Sequence, residues 1–132
     1  MKLLDTTFLV DYERGEEAVA EYFEANGAAE FVTSALCVKE LAVGKHIIGD
    51  PTLADVLAPY GWLKVVPFRT DHAIAAGEME AELHADESVN QDHINVVAGD
   101  LLVAAVARTM DATVVTNNRD DFGRFDVAVE GY

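Results

Sequence analysis

Basic residues are scarce in this 132-residue chain: nine lysines and arginines stand against 24 aspartates and glutamates, a formal net charge of −15. Bulk electrostatics cannot draw such a chain to a polyanion, so any nucleic-acid contact must rest on local groups. The single cysteine, Cys37, rules out an internal disulfide; it fits a reducing cytoplasm and reads as a small packed hydrophobe. Only three prolines occur, scattered, and no Gly/Ser-rich stretch, so neither a linker nor low complexity is expected. No apolar run reaches the roughly 18 residues of a membrane span, and no membrane partner is expected. Asp5, Asp11 and Glu13 interrupt the opening apolar stretch, which therefore does not read as a signal peptide. His46, His72, His84 and His93 show no HxxxH or HExxH spacing and CxxC is absent, which argues against zinc. P-loop and GxGxxG motifs are also missing.

Apolar residues make up 51% of the chain, enough for residues 1–132 to form a single compact domain. The expected surface is dominated by acids such as Glu16, Glu17, Glu78, Glu80, Asp86 and Glu87. That composition suits a cytoplasmic protein of an extreme halophile, where salt screens charge over a few ångströms. An acidic ligand-binding or metal-storage protein is the competing reading.

Short β-type runs alternate with longer helical stretches. Strands are expected at Lys2–Asp5, Glu30–Thr33, Trp62–Pro67 and Thr113–Thr116, with a possible fifth at Val127–Val129. Helices are expected around Thr7–Glu13, Glu16–Asn26 (closed by Gly27), from a Ser34 cap to Ile48, from Asp50-Pro51, over Thr70–Ala85 with Thr70 or Asp71 as cap, and from about Gly99 to Met110. The alternation predicts an α/β layered fold with a mainly parallel sheet. In such sheets ligands bind beyond the carboxyl ends of the strands. Asp5 stands at one such end and Thr116-Asn117-Asn118 follow another, so the two segments meet if the first and fourth strands are neighbours.

Several acids lie in core-like surroundings, where an ionised carboxylate costs several kcal/mol unless it is paired or holds a metal. Asp5 follows Leu3-Leu4, Asp100 precedes Leu101–Ala107, and Glu40 separates Leu36-Cys37-Val38 from Leu41-Ala42-Val43. At 100° per residue, Glu40 shares an arc with Leu36, Cys37, Leu41, Gly44, Ile47 and Ile48, while Lys39, Lys45 and His46 fall opposite. The bland alternatives are a solvated Glu40, an Asp100 that merely favours a helix N-terminus, and an Asp5 that merely caps the following helix. Together these acids read as one metal site gathered by the fold. A haloacid-dehalogenase-like phosphotransferase would need Asp-x-Asp where Asp5-Thr6-Thr7 stands.

The ordered set Leu3-Leu4-Asp5-Thr6-Thr7, Ser34-x5-Glu40, Asp100–Ala107 and Val115-Thr-Asn-Asn-x-x-Asp-Phe122 resembles the PIN-domain ribonucleases, above all the VapC-type toxins of toxin–antitoxin pairs. The resemblance implies a three-layer α/β/α fold with a sheet of four to five strands. It also implies a Mg²⁺-dependent endoribonuclease, with Mn²⁺ as a substitute. Asp5, Glu40 and Asp100 would be catalytic metal ligands. Asn118 stands where some members carry aspartate, and Asp121, three residues on, is the other candidate for the fourth position. Thr6 and Thr116 would orient waters or carboxylates behind the ligands, or simply cap backbone. The expected partners are RNA, a VapB-like antitoxin and a second copy of the chain as a homodimer. An RNA-processing nuclease without a toxin role, and a non-catalytic cation-binding module, are the alternatives.

Overall fold

The computed structural model describes residues 1–132 as five parallel strands between layers of helices. The elements run β1 (Lys2–Leu4), α1 (Thr6–Arg14), α2 (Glu17–Ala25), β2 (Phe31–Ser34), α3 (Ala35–Ile48), α4 (Leu53–Leu57), a 3₁₀ turn (Ala58–Tyr60), β3 (Lys64–Val66), α5 (Thr70–Ala85), α6 (Gln91–Met110), β4 (Thr113–Val115), α7 (Arg119–Phe122) and β5 (Val129–Glu130). The strand order is β3-β2-β1-β4-β5, and every pairing is parallel. The three-layer α/β/α architecture is thus present, with an all-parallel sheet.

This order creates the site. From β1 the chain builds outward through β2 to β3, then returns to the other side of β1 with β4 and β5. The reversal leaves a crevice at the carboxyl ends of β1 and β4, where open α/β sheets bind ligands. Register brings Leu4 opposite Val115, so Asp5 and Thr116, the next residues, emerge together.

The strands are buried on both faces: Leu3, Leu4, Val32, Val114 and Val115 are fully enclosed, as expected for parallel strands covered by helices. Phe8 of α1 anchors an aromatic cluster, edge-on to Tyr22, Phe23 and Tyr132 with ring centroids at 5.5, 5.4 and 4.7 Å. Such edge-to-face contacts add stability beyond burial alone.

Several expectations need correction. Helix α6 starts at Gln91, capped by the Asn90 side chain accepting from the His93 amide, rather than near Gly99. Its 20 residues, with a mean hydropathy of 1.2 over the best 18, are long and apolar enough by length and composition to cross a membrane, although Asn95, Asp100 and Arg108 interrupt the apolar run. Its apolar face, including Val97, Leu101 and Val103–Ala107, lines the core. Helix α4 does not begin at Pro51; Thr52 caps it, exchanging bonds with Asp55 at 3.2 and 2.8 Å. Helix α5 is capped neither by Thr70 nor Asp71, because buried His72 accepts from the Arg69 amide at 3.0 Å. The fifth strand falls at Val129–Glu130.

Candidate active site

Asp5 is the fixed point. It is buried at 5% exposure and caps α1, its Oδ1 accepting from the Phe8 amide at 3.1 Å. The Thr7 hydroxyl donates to the same oxygen at 2.7 Å, and the Thr116 hydroxyl donates to Oδ2 at 2.5 Å. A carboxylate has about four acceptor positions, so three donors leave one direction open on Oδ2. Burial raises the Asp5 pKa, the three donors oppose that shift, and nearby Glu40 adds repulsion. Capping α1 through Oδ1 thus still leaves an acceptor direction on Oδ2 at the carboxyl end of β1.

Glu40 comes from α3, which Ser34 launches by capping through its side chain. Its Oε2 accepts from the Thr6 hydroxyl at 2.5 Å. Gly99 on α6 faces the other oxygen: a Cβ there would lie 3.7 Å from Glu40 Oε1. The helical-wheel argument fails in one respect. Glu40 is exposed, and so are its arc neighbours Gly44, Ile47 and Ile48. The buried arc ends at Leu41, so Glu40 stands at the mouth of the crevice rather than inside an apolar face.

Asp100 sits in the middle of α6, not its first turn, so no helix terminus stabilises its charge. Its pKa is pushed up to about 6, first by burial and then by the charges of Asp121, Glu40 and Asp5. That mutual repulsion is the clearest sign that acids from α1, α3, α6 and α7 share one edge. Asp121 and Asn118 are exposed there, and the Asn118 amide donates to Thr116 Oγ1 at 2.9 Å. Thr6 and Thr116 both hold carboxylates in place.

The PIN domain family profile matches residues 2–128, nearly the whole chain. The chain belongs to the PIN domain family. Its fold matches that of a VapBC complex from Salmonella typhimurium bound to DNA, with 25% identity over 98% of this chain and 96% of that one, TM-score 0.73. A FitAcB complex from Neisseria gonorrhoeae gives 25% identity over the same shares, TM-score 0.70. VapBC2 from Rickettsia felis, bound to a promoter DNA fragment, gives 20% identity over 99% and 98%, TM-score 0.76. No curated protein matches the chain in sequence.

In this PIN domain no three acidic, histidine or cysteine side chains converge closely enough to form a complete cation cage. The donor set nevertheless fits a hard, hydrated cation. All candidate ligands are carboxylate oxygens, Asp5 retains one open acceptor direction, and Asp100 is raised first by burial and then by neighbouring negative charge. Magnesium characteristically takes one or two carboxylates and keeps several waters.

Three supporting residues escaped the sequence reading. Thr7 bonds Asp5 and also accepts from the Asn117 amide at 3.1 Å, a contact between positions 110 residues apart in the chain. Asp11 accepts from Asn117 Nδ2 at 3.1 Å and from the Tyr132 hydroxyl at 2.6 Å. Gly99 leaves the space beside Glu40. Only Thr7, two residues from Asp5, carried a local signal. Cys37 is buried with its thiol pushed up to about 12, chiefly by burial, and takes no part.

Proposed function

We propose that this PIN domain is a metal-dependent endoribonuclease, the toxin of a toxin–antitoxin pair, acting through Asp5, Glu40 and Asp100 with Asp121 and Asn118 at the rim. The observation that carries the reading is the gathering of acids at the β1/β4 edge: Asp5 is held by Thr116, Glu40 by Thr6 of the helix that Asp5 caps, and Gly99, beside Asp100, faces Glu40. Membership of the family supports hydrolysis of phosphodiester bonds. The VapBC and FitAcB likenesses support the antitoxin partner.

Asp5, Glu40 and Asp100 would hold Mg²⁺ or Mn²⁺, which supplies positive charge for developing phosphate charge and lowers the pKa of an attacking water. Thr116 and Thr7 fix the plane of the Asp5 carboxylate, so its free acceptor direction points one way. Thr6 holds one Glu40 oxygen and leaves the other to orient or take a proton from water at the crevice mouth. Asn118 and Asp121 border the path by which substrate arrives. We read the acidic surface as adaptation to a salt-rich cytoplasm, and the exposed apolar side chains Val43, Ile47, Ile48 and Leu53 as compatible with a homodimer or antitoxin contact.

Expression of the chain should arrest growth, the arrest should vanish in Asp100→Asn, and co-expression of a small neighbouring gene should relieve it. Arrest that persists in Asp100→Asn would remove the nuclease from the explanation. RNA cleavage in vitro without any arrest would favour an RNA-processing role.

A further inference from the structure

Beside the acidic crevice lies a recess with the opposite character. It is lined by Thr116, Asn117, Arg119, Gly131 and Tyr132 and measures about 360 Å³, at the small end of ligand clefts, which run from roughly 300 to 1,000 Å³. No aspartate or glutamate lines it, in a chain carrying 24 such acids. Arg119 is its one basic side chain. A second recess of about 310 Å³ is lined by Arg119 together with Asn117, Asn118, Asp120 and Asp121. Arg119 thus borders both an acidic recess and one without acidic side chains.

Arg119 is exposed and forms no salt bridge, whereas Lys2, Arg14, Lys45 and Arg69 each pair with an acid. Its position depends on Gly131. A Cβ on Gly131 would lie 3.2 Å from Arg119 Nε and 3.3 Å from its Cδ, closer than a side chain tolerates without moving. The opposite wall is equally fixed. Asp11 holds both the Asn117 amide and the Tyr132 hydroxyl, and the Tyr132 ring stands edge-on to Phe8 at 4.7 Å. Thr116 closes the recess toward Asp5, to which it donates.

We propose that this recess is a nucleotide subsite of the nuclease, taking one 5′-phosphorylated nucleotide of single-stranded RNA adjacent to the scissile bond. The Arg119 guanidinium binds the phosphate, and rigid Tyr132 and Asn117 border the ribose and base. A planar guanidinium with all its donors free of protein carboxylates suits bidentate phosphate binding. An aromatic wall suits unpaired nucleotides, whose bases are free to stack. The subsite also answers how a chain of charge −15 holds RNA without a basic stripe: one local cation, tied to no carboxylate by a salt bridge, stands at the edge of the acidic site. The inference rests on the RNA-nuclease reading, but its test does not need cleavage.

Two readouts separate them. In nitrogen-15 correlation spectra of the full chain, uridine 5′-monophosphate should shift the Gly131 amide and Arg119 Nε–H signals, while uridine leaves them in place. The Gly131 shift should vanish in Arg119→Gln, and both shifts should survive in Asp100→Asn. In steady-state cleavage, Arg119→Gln should raise KM roughly tenfold with kcat changed less than about twofold, because uniform binding is lost. Arg119→Lys should recover part of that, and Gly131→Val, which displaces the guanidinium, should mimic Arg119→Gln. Equal shifts with uridine, absence of any shift, or a fall in kcat at constant KM would each overturn the subsite. Shifts seen in a chain that cleaves no RNA would support the subsite and count against the nuclease reading alone.

Discussion

Thr116 Oγ1 donates to Asp5 Oδ2 at 2.5 Å, joining the carboxyl ends of β4 and β1 across 111 positions of sequence. The same hydroxyl oxygen accepts from the Asn118 amide at 2.9 Å, so one side chain fixes a buried carboxylate and the start of the segment carrying Asp121. Replacing Thr116 with valine keeps the volume and removes both bonds. Stability should fall by about 2–3 kcal/mol, because a buried carboxylate loses a donor and the Asn118 amide loses its acceptor. Cleavage should fall further, by roughly 10–100-fold, as for other groups that orient metal ligands. Urea melts and cleavage rates together decide the point: a variant that melts early yet cleaves at the wild-type rate would make the bond purely structural.

Asp100 predicts an inverted pH dependence for the metal-free protein. Its folded pKa, about 6, lies above the ordinary 3.8, so the folded state holds a proton that the unfolded chain releases. Stability from this group is present below about pH 4 and is lost as pH rises through about 6. Because Asp100 is only half-buried, screening reduces the effect to about 1 kcal/mol. Without metal, Asp100→Asn should match wild type near pH 4 and exceed it above pH 6. Melting curves that run parallel across that range would dissolve the carboxylate cluster.

Glu40 and Glu82 provide a paired comparison. Both are exposed glutamates on long helices, but only Glu40 is held by a threonine from another helix. Glu40→Gln should lose cleavage by at least about 100-fold, as loss of a ligand or base does, while Glu82→Gln should leave it unchanged. Similar rates for the two variants would return Glu40 to the solvated surface.

Salt should act opposite to its usual effect on nucleic-acid enzymes. Added KCl normally weakens phosphate contacts, but here it also screens repulsion between RNA and a chain of charge −15. Helicity by circular dichroism and cleavage rate should both rise from low salt toward about 1 M KCl, where the screening length is only about 3 Å. A well-folded enzyme that is fastest near zero salt would leave the acidic surface without its halophilic explanation.

The sequence carried the fold further than the local geometry. The alternation of apolar runs with helical stretches sufficed for a parallel sheet, and Asp5 and Thr116 were recognisable as strand-end residues because both follow short apolar strands. Asp100 stands out in the sequence because it precedes the apolar run Leu101–Ala107, and that run is indeed core; only the helix start expected near Gly99 differs, since α6 runs through it from Gln91. A single glycine costs a helix little when the apolar face on either side is packed. Glu40 is exposed rather than set in a buried arc, since periodicity marks a face but not where its cover ends. Asp11, the Thr7–Asn117 bond and the Arg119–Gly131 contact are illegible in sequence because each joins segments brought together only by the β1–β4–β5 pairing.

The most direct measurement is cleavage of a single-stranded test RNA after exhaustive chelation, followed by return of Mg²⁺, Mn²⁺ or Zn²⁺, with wild type beside Asp5→Asn. The hard oxygen ligand set predicts no cleavage after chelation, recovery with Mg²⁺ or Mn²⁺, poor recovery with Zn²⁺, and none with any ion in Asp5→Asn. Cleavage that survives chelation, or that Asp5→Asn performs at the wild-type rate, would contradict a metal-dependent nuclease built on these carboxylates.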